Sequence, residues 1–123
     1  MYEVCVTREF SSAHFLRNYE GKCANLHGHN WKVEVCFRSG TVSENGIMID
    51  FLDIGTALDG LLEQLDHGII NNIAPFDTLN PTSENLACWF YREIALRMPQ
   101  DSPKPHSVRV WETADAYASY WEE

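Results

Sequence analysis

Cys23-Ala24-Asn25-Leu26-His27-Gly28-His29, running directly into Asn30-Trp31-Lys32-Val33-Glu34-Val35-Cys36-Phe37-Arg38, is the stretch from which the rest of the chain is read. From Trp31 to Phe37 apolar residues hold every second position, as a half-buried strand requires, so a strand is expected from about His27 to Arg38. Alternate side chains on a strand share a face, which puts His27 and His29 together and leaves open space around Gly28 on the opposite face. A pair at this spacing can bring two imidazoles to one cation; it can equally be a pair of hydrogen-bonded surface residues.

A third ligand has to come from elsewhere. His14 is the natural candidate, because it closes a first alternating run, Tyr2 to Phe10 followed by Ser11-Ser12-Ala13, that would pair with the second strand as a hairpin. Three histidines with an open fourth position describe a catalytic zinc. Cys23 as fourth ligand would instead close the site and make it structural, and spacing leaves both readings open.

Outward from this pair of strands, Arg17 to Cys23 reads as a polar loop with Gly21 available for a turn. Asn45-Gly46 is a hairpin signal ahead of Ile47-Met48-Ile49, a short apolar run expected to pair back onto the second strand or extend the sheet edge. From Asp53 to about Leu65, apolar residues recur at three and four positions and predict a helix, capped by Asp50 or Asp53, in which Gly55 and Gly60 each cost up to about 1 kcal/mol relative to Ala. It should end near Asp66-His67-Gly68, with Gly68 in the left-handed cap position. His67, at a helix C-terminus beside a carboxylate, is either an acid–base group or one half of a terminal charge pair. Adjacent side chains diverge on a regular helix, so the two cooperate only if the end is irregular.

A second helix is expected after Asn80-Pro81-Thr82-Ser83-Glu84-Asn85, capped by Thr82 and running to about Met98 with Leu86, Ala87, Phe90, Tyr91 and Ile94 on its buried stripe. Final strands are read at Ser107 to Thr113 and Tyr117 to Trp121. Glu112 falls on the face of Val108 and Val110, where an unpaired carboxylate is expensive, so it is either aimed at a ligand with paired N–H donors or placed at the wet end of the strand. Two strands, two helices and two strands predict an α+β domain: a four-stranded, largely antiparallel sheet with both helices on one face, whose edges oligomerisation would bury.

The 123 residues suit one domain, 1–123, and are 45% hydrophobic and 12% aromatic. No apolar run reaches the roughly 20 residues of a membrane span and no basic-then-apolar leader opens the chain, so a soluble, cytoplasmic protein without a membrane partner is expected. The four cysteines form no CxxC pair and are expected as thiols. A net charge of −9 argues against a nucleic-acid partner. Lys and Arg are absent from Ser39 to Tyr91, yet Arg8, Arg17, Lys22, Lys32 and Arg38 surround the histidine segment, a local basic rim that would suit a small anionic substrate.

Phe10-Ser11-Ser12-Ala13-His14, the Cys23–His29 segment, Ile49-Asp50-Phe51, Leu65-Asp66-His67 with Asn71, Asn80 to Asn85, and Glu112-Thr113 follow one another in an order that resembles the 6-pyruvoyltetrahydropterin and 6-carboxytetrahydropterin synthase family over nearly the whole chain. The resemblance implies the tunnelling fold, in which trimers close their sheets into a barrel and stack as hexamers with sites at subunit boundaries. It implies a zinc held by His14, His27 and His29, a proton-transferring Cys23 completed by Asp66 and His67, and pterin binding at Glu112 and Thr113, with Glu112 accepting a forked pair of charge-assisted hydrogen bonds. Cysteine followed by three residues and His-Gly-His looks like the 6-carboxytetrahydropterin synthase branch of queuosine biosynthesis, acting on 7,8-dihydroneopterin triphosphate. Pyruvoyl formation, dihydroneopterin cleavage, and a non-catalytic zinc-stabilised assembly module are the alternatives. Gly55 stands where the family often has lysine, and Ile70 where it usually has leucine.

Overall fold

In the computed structural model, which describes residues 1–123, two long strands form the spine. β1 (Tyr2–His14) and β2 (His27–Ser39) pair antiparallel along their whole length, from Tyr2 opposite Ser39 to His14 opposite His27. Trp31, Val33, Val35 and Phe37 are fully buried on one face of β2, while Gly28, Asn30, Lys32 and Glu34 point to the other. The hydrophobic alternation read in the sequence is therefore the alternation of covered and uncovered sheet faces.

Two helices cover the apolar face. In α1 (Phe51–Leu65), Ile54, Ala57, Leu58, Leu61, Leu62 and Leu65 are buried, and in α2 (Ser83–Arg97), Leu86, Ala87, Phe90, Tyr91 and Ile94. Asp50 caps α1 by accepting from Leu52 N at 2.9 Å, and Thr82 caps α2 by accepting from Asn85 N at 3.1 Å. β4 (Ser107–Thr113) pairs antiparallel with β2 and carries β5 (Ala116–Tyr120) on its outer side.

The sheet has five strands rather than four, in the order β3-β1-β2-β4-β5. The added strand, β3 (Gly68–Ile69), lies parallel to Ser12-Ala13 at the end of β1. Two residues carry no alternation, so nothing in the pattern announces it. The left-handed position after α1 belongs to His67, at φ 57°, and not to Gly68, which is paired in β3. Asn45-Gly46 does turn, with Gly46 at φ 79° and Ser43 N bonded to Ile47 O at 2.9 Å, but Ile47-Met48-Ile49 forms no strand. Both edges of β2 are already taken by β1 and β4, so Met48 and Ile49 pack against the core instead.

Cys5 and Cys36 face each other in the β1–β2 register and are joined as a disulfide, which corrects the expectation of four thiols; Cys23 and Cys88 are free. Register explains the pairing, since directly opposed residues on antiparallel strands have neighbouring Cβ atoms. No helix is long and apolar enough to cross a membrane. The departure at Gly55 also has a physical setting: a Cβ there would stand 2.6 Å from a guanidinium nitrogen of Arg8. Arg8 crosses from β1 over that gap to Asp59, one turn further along α1, with Nε 2.9 Å from Oδ1.

Candidate metal centre and adjoining cavity

The covered face of the β1–β2 pair ends in imidazoles. His14, His27 and His29 continue the rows that bury Phe10 and Trp31, and strand alternation brings them together without any special loop. Trp31 separates them from the core: its Nε1 donates to Ser12 O at 3.1 Å, and its ring meets His14 and His29 edge-on at centroid distances of 4.8 and 5.3 Å.

Loop carbonyls set the direction of two rings. His14 Nδ1 lies 2.8 Å from Pro81 O and His27 Nδ1 lies 2.6 Å from Asn25 O. A carbonyl only accepts, so each Nδ1 carries the proton, and a neutral ring then turns its Nε2 lone pair inward. Those two Nε2 atoms are 3.0 Å apart. His29 Nε2 is buried and 2.9 Å from Glu112 Oε1, yet it lacks the alignment of a hydrogen bond. A hydrogen bond is directional, so the short distance alone does not make one. Glu112 Oε1 is also 3.2 Å from His14 Nε2. Burial pushes the His14 pKa down, against the opposing pull of Pro81 O and Glu112, and so favours the neutral form that a metal ligand needs.

One donor atom from each of His14, His27, His29 and Glu112 falls within 4.8 Å of the other three. Facing lone pairs and an orphaned buried nitrogen are what a cation would satisfy, so the cluster is compatible with a metal ion. Imidazole and carboxylate donors suit zinc and its first-row neighbours. Cys23 is not in this group. It sits partly buried in a short turn of 3-10 helix, Lys22–Ala24, so the closed site with a sulfur ligand is not assembled.

Asp66 and His67 are brought together because the helix end is irregular: Asp66 is extended and His67 left-handed. Asp66 Oδ2 lies 2.8 Å from His67 Nδ1, and Oδ1 accepts from Ser11 N at 2.8 Å. His67 N in turn donates to Ser11 O at 2.6 Å. The Ser11 N–H first, and His67 second, hold the Asp66 carboxyl below its usual range. The His67 side chain is 82% exposed.

A cavity of about 610 Å³ adjoins the cluster, lined among others by His29, Asn30, Lys32, Trp111, Glu112 and Thr113. Glu112 and Thr113 thus belong to one wall, and Glu112 also reaches the imidazoles. Sequence reasoning missed the groups that orient these side chains: Pro81 O, Asn25 O and the Ser11 main chain. It also missed two asparagine clamps. Asn71 bonds both Phe15 N (3.0 Å) and Phe15 O (2.9 Å), and Asn80 does the same with Arg17 N (2.8 Å) and O (2.9 Å). Leu16 N, between them, donates to Cys23 O at 2.9 Å. Backbone partners have no signature in the sequence; the clustering of Asn71, Asn80 and Pro81 after α1 was the available signal.

A profile of the family described as 6-pyruvoyl tetrahydropterin synthase matches residues 3–123. The chain is 36% identical over 117 residues to a 6-carboxy-5,6,7,8-tetrahydropterin synthase of Synechocystis, covering 91% of this chain and 87% of that one. It is 34% identical over 103 residues to a dihydroneopterin monophosphate aldolase of Pyrococcus furiosus, covering 84% and 82%. Among solved structures, the 6-pyruvoyl tetrahydropterin synthase of Caenorhabditis elegans superposes with a TM-score of 0.86 at 25% identity, covering 100% of this chain and 98% of that one. With the sheet order, the covering helices and the imidazole cluster all in place, the chain belongs to the 6-pyruvoyl tetrahydropterin synthase family.

Proposed function

We propose that the chain is a zinc-dependent 6-carboxytetrahydropterin synthase that converts 7,8-dihydroneopterin triphosphate and one water to 6-carboxy-5,6,7,8-tetrahydropterin, acetaldehyde and triphosphate. The observation that carries this reading is the set of inward-turned imidazole nitrogens beside a cavity that also holds Glu112. His14, His27 and His29 would hold the zinc, which when bound supplies Lewis acidity to a substrate hydroxyl.

The remaining roles fall to the chain's own groups. Glu112 and Thr113 bind and orient the pterin, the carboxylate accepting the paired N–H donors of its ring edge. Cys23, as thiolate, moves a proton between the substrate's side chain and ring, and His67 accepts or returns one. Asp66 stays ionised because its pKa is held low, so it orients His67 and does not itself serve as an acid. His67 stands out from its own chain, which fits a hexamer built from two trimers in which it serves Cys23 of a neighbouring copy.

Support for the carboxy branch comes from the Cys23 spacing to His-Gly-His and from identity to relatives that carry that name. The Pyrococcus furiosus relative favours a second reading, cleavage of the dihydroneopterin side chain to a hydroxymethyl pterin. The test is to incubate the zinc-loaded protein with 7,8-dihydroneopterin triphosphate and identify products by mass spectrometry. A 6-carboxytetrahydropterin mass with acetaldehyde supports the proposal; a hydroxymethyl or pyruvoyl product replaces it, and unchanged substrate rejects catalysis. Cys23→Ala should abolish turnover with zinc retained, whereas loss of zinc would restore the structural-metal reading.

A further inference from the structure

The cavity beside the imidazoles carries two hydrogen-bond donors that the roles above leave unused. Asn30 and Lys32 follow His29 on β2 at alternate positions, so both project from the uncovered face of the sheet into the same space. Ser11 Oγ donates to Asn30 Oδ1 at 2.8 Å. That bond engages the amide oxygen and sets its orientation, and the NH2 group, which has no partner within the chain, is left for a ligand.

Lys32 is the second donor. Its Nζ rests over the Trp111 ring, 4.6 Å from the centroid, and it forms no ion pair. An ammonium on an aromatic face keeps N–H bonds directed away from the ring. Two carboxylates share the cavity, and neither neutralises this charge. Glu112 turns Oε1 toward His14 and His29 and forms no ion pair with Lys32, and Glu9 stands opposite Lys32 in the register without approaching to ion-pair distance. On a chain of net charge −9, an unpaired cation next to an oriented amide donor describes a place for an anion.

We infer that Asn30 and Lys32 form a subsite for the substrate's phosphate groups, which selects phosphorylated over unphosphorylated pterins. The inference rests on the pterin reading for the identity of the substrate, but its anion chemistry stands on these two side chains. Asn30 donates to phosphate oxygen, Lys32 supplies the charge, and Ser11 is a positioning residue that acts through Asn30.

Inorganic tripolyphosphate is the probe, titrated calorimetrically into the zinc-loaded protein. Lys32→Met keeps an apolar stem against Trp111 and removes the charge. Asn30→Asp keeps the shape and the acceptor for Ser11 while replacing the donors with a second acceptor. Each should weaken tripolyphosphate binding about tenfold, the scale of one charge-assisted hydrogen bond. The ratio of KM for dihydroneopterin triphosphate to KM for dihydroneopterin should rise to match. Ser11→Ala should weaken binding less, and add nothing in an Asn30→Asp background. Lys104→Met, on the exposed connector before β4, controls for net charge alone. Unchanged tripolyphosphate affinity in both Lys32→Met and Asn30→Asp, or equal weakening in Lys104→Met, overturns the subsite. Binding is read without turnover, so a protein that holds tripolyphosphate through Lys32 yet converts no pterin sinks the reaction and keeps the subsite.

Discussion

Along the face that the helices cover, one end of the sheet is hydrocarbon and the other is imidazole, with Trp31 at the boundary. The strand geometry is the same at both ends; what fixes the side chains is not. Val33, Val35 and Phe37 are held by close packing against α1 and α2, a non-directional constraint that many apolar side chains satisfy. His14 and His27 are held by single carbonyls from loops far away in the chain or just before the strand, each of which dictates one tautomer. A fold can therefore keep its architecture while its imidazole end depends on a few polar contacts.

The two ends should respond differently when broken. Phe90→Ala at the packed end is expected to cost about 3–5 kcal/mol of unfolding free energy, with or without zinc, in denaturant titrations. His14→Ala should instead abolish the zinc-dependent increment, about 3 kcal/mol for a metal present at a hundred times its Kd. It should leave metal-free stability far less affected than Phe90→Ala does, and metal analysis of the purified variant should find the zinc gone. An equal loss in metal-free stability from both substitutions would mean that the imidazole end is ordinary core.

Asn71→Leu strips two half-buried backbone groups at Phe15 of their partners and should cost about 1–2 kcal/mol, the lower part of the range for unsatisfied polar groups. Asp66→Asn sharpens the comparison through pH. The folded-state pKa lies below the unfolded value, so the stabilisation is present above about pH 4 and is lost as pH falls through the lower, folded value. The variant should lose that increment at neutral pH, match the wild type at the acid end, and so flatten the acid limb of a stability–pH curve; an unaltered acid limb would remove Asp66 from that account. Gly55→Ala should have the smallest effect, within about 1 kcal/mol, as improved helix propensity offsets displacement of Arg8 from Asp59. A crystal structure or hydrogen exchange at Thr7 and Arg8 would register that displacement.

What the sequence disclosed follows the same division. Period-two and period-3.6 patterns gave β1, β2, both helices and β4 because packing imposes a repeat over many residues. The histidine rows were legible for the same reason, being a continuation of the strand pattern. β3 was illegible because two residues hold no period, and the fate of Ile47-Met48-Ile49 was decided by edges of β2 that other strands occupy. Glu112 was noticed as an oddity on an apolar face, but only three-dimensional proximity sets it against His14 and His29. Position at a helix end marked His67 beside Asp66, and spacing offered Cys23 only as a fourth metal ligand; the joint proton-transfer role of Cys23, Asp66 and His67 came from the family resemblance alone.

The clamps at Phe15 and Arg17, together with the Leu16–Cys23 bond, leave the residues from 18 to 22 as an excursion whose ends are anchored independently of its length. Closure entropy grows only slowly, by about 0.6 kcal/mol for each doubling of a flexible loop. Between the exposed Tyr19 and Glu20 the polypeptide is accordingly a free variable: an epitope, a fluorophore-bearing segment or a pair of new termini can be engineered there without disturbing the anchoring on either side.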